Sequence, residues 1–123
     1  MKLSLSDDSH SFHITSYDVG GFMVNKHQYS GNQIFSADKP PQSWSVTDID
    51  SLTSEHLKID GILKQDLVII GTGSKLVFPD DNCLTYLYDM QVGFEIMDTP
   101  AACRTFNILL SEGRNALAAL IAI

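Results

Sequence analysis

The sequence predicts an α/β fold built on a parallel or mixed sheet, and three observations carry that prediction. The carboxyl-terminal half alternates apolar runs in the order strand, helix, strand, helix, strand. The run Leu67-Val68-Ile69-Ile70 is apolar at every position, as a strand covered on both faces requires. The stretch 12–35 instead holds three short runs separated by breaks, the pattern of a small antiparallel meander.

Taken in order, residues 12–17 alternate well enough for a strand, and Gly20-Gly21 breaks the chain before a second strand at 22–26. Ser30-Gly31-Asn32 then precedes the third, at 33–35. Residues 36–44 centre on Pro40-Pro41, and two residues without a backbone N–H make this segment a connection. Trp44 is expected to anchor it to the core with its indole N–H paired. Residues 47–62 set Ile49, Leu52, Leu57 and Ile59 among Asp48, Asp50, Glu55 and Asp60, which predicts a short surface helix. Leu67 to Ile70 form a central strand that ends at Gly71-Thr72-Gly73. After Phe78-Pro79, Asp80 and Asp81 offer an amino-terminal cap, and Cys83, Leu84, Leu87 and Tyr88 recur at helical spacing. Residues 92–97 give the next strand, after which Thr99 caps a helix with Pro100 at its first position. On that helix, running to about Arg114, Ala102, Cys103, Phe106, Leu109, Leu110 and Gly113 share one arc. Arg104 and Ser111 lie opposite, and Ile108 falls off the apolar arc. Gly113 ends the helix, and residues 116–123 return as a buried last strand.

Length and composition bound the function. A chain of 123 residues, 44% hydrophobic and 19% charged, suits one domain spanning 1–123 with one continuous core. Its formal charge is −7, and eight Lys and Arg are scattered along it, so no basic stripe is available for nucleic acid. The longest apolar run, at 116–123, is far short of the roughly 20 residues that cross a bilayer, so no membrane insertion is expected. Residues 1–12 carry Asp7 and Asp8 and no signal-peptide core. With two cysteines that suit reduced thiols, a cytoplasmic location is expected. His10, His13, His27 and His56 show no paired ligand spacing, so neither a metal nor another cofactor is expected.

The strings Ile70-Gly71-Thr72-Gly73, Phe78-Pro79, Glu95-Ile96-Met97-Asp98-Thr99, Ala101-Ala102-Cys103-Arg104-Thr105-Phe106-Asn107 and Glu112-Gly113-Arg114 together resemble one signature. It is that of the Mth938-type domain family, whose members include mitochondrial complex I assembly factor three and the adipogenesis-associated Mth938 domain protein. Gly21, Tyr29 and Trp44 extend the likeness over nearly the whole chain. The resemblance implies a compact three-layer fold with a mixed sheet and a hairpin region in the amino-terminal half. It brings no agreed enzymatic activity, and for one relative it implies a role in assembling a respiratory complex. No targeting presequence is read in this chain.

The glycine pair at 71 and 73 does not make a dinucleotide loop. The third glycine of G-x-G-x-x-G would fall at Leu76, and residues 74–78 suit an extended segment better than a helix. If the strands ending at Ile70 and Met97 are parallel neighbours, however, their carboxyl ends bring Gly71, Thr72 and Gly73 beside Asp98 and Thr99. A crevice of an open α/β sheet lies at such a place. Arg104, one turn into the helix, would add positive charge for a small anionic ligand. The alternative assigns Asp98 or Thr99 to capping and Arg104 to an ion pair with Glu95 or another carboxylate. Cys103 sits near a helix amino terminus, which favours a thiolate, but also on the apolar arc, which favours a buried thiol. Two function classes follow. One is a non-enzymatic interaction or assembly factor with a protein partner; the other is a small-molecule or anion-binding protein or enzyme using the crevice. The sequence requires no nucleophile, base and orienter to converge, which favours the first.

Overall fold

The computed structural model describes residues 13–123, so the start of the first expected strand, His10 and the residues read for a signal peptide lie outside the described residues. Three strands, β1 (Ile14–Asp18), β2 (Gly21–Val24) and β3 (His27–Ser30), form an antiparallel meander. A Cβ on Gly21 would come within 2.6 Å of the Tyr29 carbonyl oxygen, so the close strand pairing here requires glycine. The third meander strand is not the expected 33–35. Asn25 and Lys26 both take positive φ, 49° and 73°, and turn the chain back on itself within two residues. Lys26 is therefore a turn residue, and β3 consists of the polar run His27–Ser30.

Residues Gln33–Ser36 instead form β4 of a second sheet with β5 (Gln42–Ser43), β6 (Leu67–Gly71), β7 (Phe94–Met97) and β8 (Ala116–Leu120). The order is β5-β4-β8-β6-β7, with β8 parallel to β6, β6 parallel to β7, and β4 antiparallel to β8 and β5. The connection around Pro40-Pro41 therefore includes a two-residue edge strand. Trp44 anchors it as expected: the ring is buried and Nε1 donates to the His56 carbonyl at 2.9 Å.

Side-chain alternation sends each sheet face to a different cover. Ile34, Val68, Ile70, Leu117 and Ala119 face a layer holding Leu52, Leu57, Ile62, Leu84 and Leu87. This layer is built from short turns: 3-10 segments Ile49–Ser51, Ser54–Leu57, Ile62–Lys64 and Asp81–Leu84, and one short helix, α1 (Thr85–Asp89). The surface helix expected over 47–62 is replaced by three of these. Asp48 accepts from the Ser51 amide, while the Thr53 and Gly61 positions restart the chain, so each apolar residue reaches the sheet from its own turn. The opposite face, with Phe35, Ile69, Ala116, Ala118 and Leu120, packs against α2 (Thr99–Ser111) and the meander. Phe35 meets Phe22 edge-on at 5.3 Å between ring centroids and lies 6.2 Å from Phe106. Three layers result, with a mixed sheet in the middle.

Both ends of α2 differ from expectation in detail. Asp98, not Thr99, is the cap, accepting from the Ala101 amide at 2.8 Å; this leaves Pro100 one place further in. At the other end Gly113 (φ 74°) donates to Leu110 and Arg114 to Leu109, the paired bonds of a Schellman closure. Gly113 is thus exposed at the helix end and not part of the buried arc. In the middle, the Asn107 side chain brackets β1, accepting from the Ile14 amide at 2.9 Å and donating to its carbonyl at 2.8 Å. The last strand ends at Leu120, and β7 starts at Phe94, two residues later than its apolar run.

Candidate functional site

The carboxyl ends of β6 and β7 do bring Gly71, Thr72 and Gly73 beside Asp98 and Thr99. The Thr72 amide donates to the Met97 carbonyl at 3.0 Å and the Thr99 amide to the Gly73 carbonyl at 2.8 Å. Thr99 is fully buried; its hydroxyl accepts from the Gly73 amide at 2.8 Å and donates to the Ile121 carbonyl at 2.6 Å. The Thr72 hydroxyl donates to the Lys75 carbonyl and accepts from the Val77 amide. Gly71 has no room for a side chain, since a Cβ would lie 2.7 Å from a Leu120 methyl and 2.9 Å from the Thr99 hydroxyl. The polar groups at this place are thus engaged within the protein: at the start of α2 the Thr99 amide donates to Gly73 and the Ala101 amide to Asp98, and Pro100 has no N–H. Arg104 is exposed on the outer face of α2 and makes no ion pair with Glu95.

Cys103 is buried, and burial pushes its thiol up to about 12, with the nearby Arg104 charge only partly opposing this. The helix start therefore does not make it a nucleophile near neutral pH. Cys83 is half-buried and donates through Sγ to the Leu52 carbonyl at 2.9 Å. Among the described residues no group of three or more His, Cys, Asp or Glu is placed to hold a metal ion, and no helix is long and apolar enough to cross a membrane.

A different site lies along β7. Phe78 and Pro79, from the loop after Gly73, line it together with Leu84 and Tyr88 of the turn-and-helix layer and with Phe94 and Ile96 of β7, which pack on the core. They enclose a groove of about 290 Å³. Phe78 is 71% exposed and Tyr88 55%, and Tyr88 meets Phe94 edge-on at 5.4 Å. Leu76, Val77 and Met90 are also exposed. Asp81 and Glu95 are the charged residues lining the groove. In the sequence Phe78-Pro79 stands out only as part of the family signature, and Tyr88 only as one position of a helical spacing. The available signal was an aromatic followed by proline between a glycine turn and an acidic cap, a place where a bulky apolar residue has little reason to be buried.

A second cavity, about 280 Å³, opens at the other end of the sheet near the amino ends of β6 and β8. It is polar, lined by Asp38, Lys39, Asp60, Lys64, Gln65 and Asn115 among others. Lys39 donates to Asp60 at 2.7 Å; that bond raises the lysine and lowers the carboxyl relative to their ordinary values.

Comparison with known proteins agrees with this architecture. Residues 14–121 match a family described as a protein of unknown function (DUF498/DUF598). A curated relative from Bos taurus, NADH dehydrogenase [ubiquinone] 1 alpha subcomplex assembly factor 3, is 34% identical over 90% of this chain and 61% of its own. The chain therefore spans about three fifths of the length of that relative. A crystal structure of a Bordetella parapertussis protein is 32% identical, covers 92% of this chain and 97% of its own, and has a TM-score of 0.84. A solution structure of a Bordetella pertussis protein, described as a Mth938-like domain, is 27% identical, covers 99% and 92%, and has a TM-score of 0.82.

Proposed function

The chain belongs to the DUF498/DUF598 family of Mth938-like domains, and from that membership we infer that it is a non-enzymatic protein-interaction or assembly factor that docks its partner on the groove beside β7. The observation carrying this reading is the exposed Phe78 and Tyr88 at a groove lined by both aromatic and acidic residues. Contiguous aromatic surface on a domain that already has two well-packed faces is poorly explained by folding and well explained by association. The name of the cattle relative supports an assembly role and suggests a respiratory complex as its setting.

The test is affinity capture from the native organism with the wild-type chain, with Phe78→Ser and Tyr88→Ser, and with Arg104→Lys and Cys103→Ser, all checked for folding. Wild type, Arg104→Lys and Cys103→Ser should retain one specific partner that both groove variants lose. Retention by the groove variants removes the groove from the function. A metabolite conversion abolished by Arg104→Lys and Cys103→Ser would replace docking with catalysis. A cytoplasmic setting belongs to the same proposal, supported by the two free thiols; recovery of the protein in the membrane pellet on fractionation would remove it.

A further inference from the structure

β7 is an edge strand: it pairs with β6 on one side, and among the described residues no strand pairs with it on the other. Its hydrogen-bonding parity is fixed by two bonds. The Val68 amide donates to the Gly93 carbonyl and the Thr72 amide to the Met97 carbonyl, while Val68 stands opposite Phe94 and Ile70 opposite Ile96. In a parallel ladder this assigns the backbone groups of 93, 95 and 97 to β6. The N–H and C=O groups of Phe94 and Ile96 therefore point outward along the open edge. Their side chains line the groove and pack on the core beneath it, whereas the Glu95 side chain, although that residue borders the groove, projects to the opposite face and is exposed. Open edges are normally blunted by short length, charge, a proline or a bulge; β7, with the sequence Phe94-Glu95-Ile96-Met97, is short and carries Glu95 but has no lysine, no proline and no shift in its register with β6.

We propose that the outer edge of β7 accepts an extended segment of a partner protein as an additional strand, and that this segment alternates apolar with basic residues. The alternation follows from the pleat. Residues sharing the face of Phe94 and Ile96 enter the groove between Phe78 and Tyr88, and those between them share the face of Glu95. The sign of the charge follows from the rim. Glu95 is the exposed charge on the face those residues would share, Asp81 lines the groove itself, and no Lys or Arg lines it. The same charges disfavour a second copy of this chain as the occupant. Pairing β7 with its own equivalent would set Glu95 and Asp81 against identical carboxylates on a chain of net charge −7.

This inference rests on the docking reading above and adds the mode of docking and the chemistry of the partner. The probe is a capped peptide of alternating Lys and Ile, compared with the Glu–Ile equivalent and with a Lys–Ile peptide of equal composition in blocks. Binding is followed by calorimetry, and backbone amide exchange by NMR. The alternating Lys–Ile peptide should bind at least about tenfold more tightly than either control. It should also slow exchange of the Phe94 and Ile96 amides, and both effects should be lost in Glu95→Lys and in Phe78→Ser, which alter exposed side chains and leave the fold intact. Equal binding of all three peptides, or binding that leaves the Phe94 and Ile96 amides unprotected, overturns strand addition. Protection of those amides without peptide, together with a dimer in sedimentation, assigns the edge to a second copy and overturns the proposal as well. If capture shows a partner that depends on Phe78 while the peptide protects nothing, strand addition fails and docking stands. If capture is indifferent to Phe78, the docking reading itself fails.

Discussion

Thr99 holds three strand ends together with one hydroxyl, because its Oγ1 joins the loop after β6 to the residue after β8 from the first position of α2. Thr99→Val keeps the shape and leaves the Gly73 amide and the Ile121 carbonyl without that partner in a buried place. A loss of about 2–4 kcal/mol is expected in urea unfolding, since a buried group left unpaired costs about 1–3 kcal/mol. Thr99→Ser should recover most of it, and Arg104→Ala, on the wet face, should change stability by less than about 0.5 kcal/mol. A Thr99→Val protein as stable as wild type would show that these bonds contribute nothing net. Cys103 gives a second test at this scale. Its thiol is held protonated in the fold, up to about 12 against an ordinary 9.0. Between those values the unfolded chain has released a proton that the native chain retains. Stability is therefore fully present below pH about 9 and declines as pH rises toward 12. Cys103→Ala should flatten that decline, and native Cys103 should resist a thiol reagent until unfolding. The shielding of Cys103 was legible from helical spacing with Phe106 and Leu110. The bonds of Thr99 were not, because their partners lie 26 and 22 residues away in sequence.

Elements that state their own ends were the most legible. The apolar arc of α2, Gly113 past its end and the unbroken apolar run of β6 each name a structure through local chemistry, and the structure has them. The meander and the segment 47–62 do not name theirs. β3 is polar because much of it is exposed, so no alternation marks it, and the Asn25-Lys26 turn lacks the glycine that usually announces one. In 47–62 the apolar spacing is compatible with a helix, but Asp48 and Thr53 each start a new turn, which breaks the period. The caps carry a prediction. Asp98→Ala removes the acceptor for the Ala101 amide and should cost about 1 kcal/mol. Gly113→Ala places a Cβ at φ 74° and should cost a further ~1 kcal/mol. The sites are distant, so the double variant should show the sum in urea titration. A clearly smaller combined loss would mean that the ends of α2 are held by packing on the sheet, with the caps secondary.

At the scale of the whole molecule, the last three residues tie the layers together more than their number suggests. The sequence reads as one strand to residue 123, yet pairing in β8 stops at Leu120, and the chain beyond it bonds to four separate places. The Ile121 amide donates to Gly71 at 2.9 Å, and the Ile121 carbonyl accepts from Thr99. The Ala122 amide donates to the Asn32 side chain at 2.7 Å, and the Ile123 carbonyl accepts from the Gly20 amide at 2.9 Å. Asn32 in turn donates to the Val46 and Thr47 carbonyls, so the meander, the connection after it and both parallel strand ends meet at this tail. Removing residues 121–123 loses one buried isoleucine, about 1.5–3 kcal/mol, and four hydrogen bonds at about 1 kcal/mol each. A total near 5–7 kcal/mol is comparable with the 5–15 kcal/mol that holds a domain folded. The truncated chain should therefore melt far below wild type or fail to fold cooperatively. Ile123→Ala, which keeps the carbonyl and its bond to Gly20, should lose less than about 1 kcal/mol, whereas Ala122→Pro, which removes the N–H to Asn32, should lose clearly more. Thermal unfolding of the three proteins separates the contributions. If Ile123→Ala is as damaging as the truncation, side-chain burial at the tail holds the layers together; if only the truncation and Ala122→Pro are damaging, the backbone bonds to Gly71, Asn32 and Gly20 do.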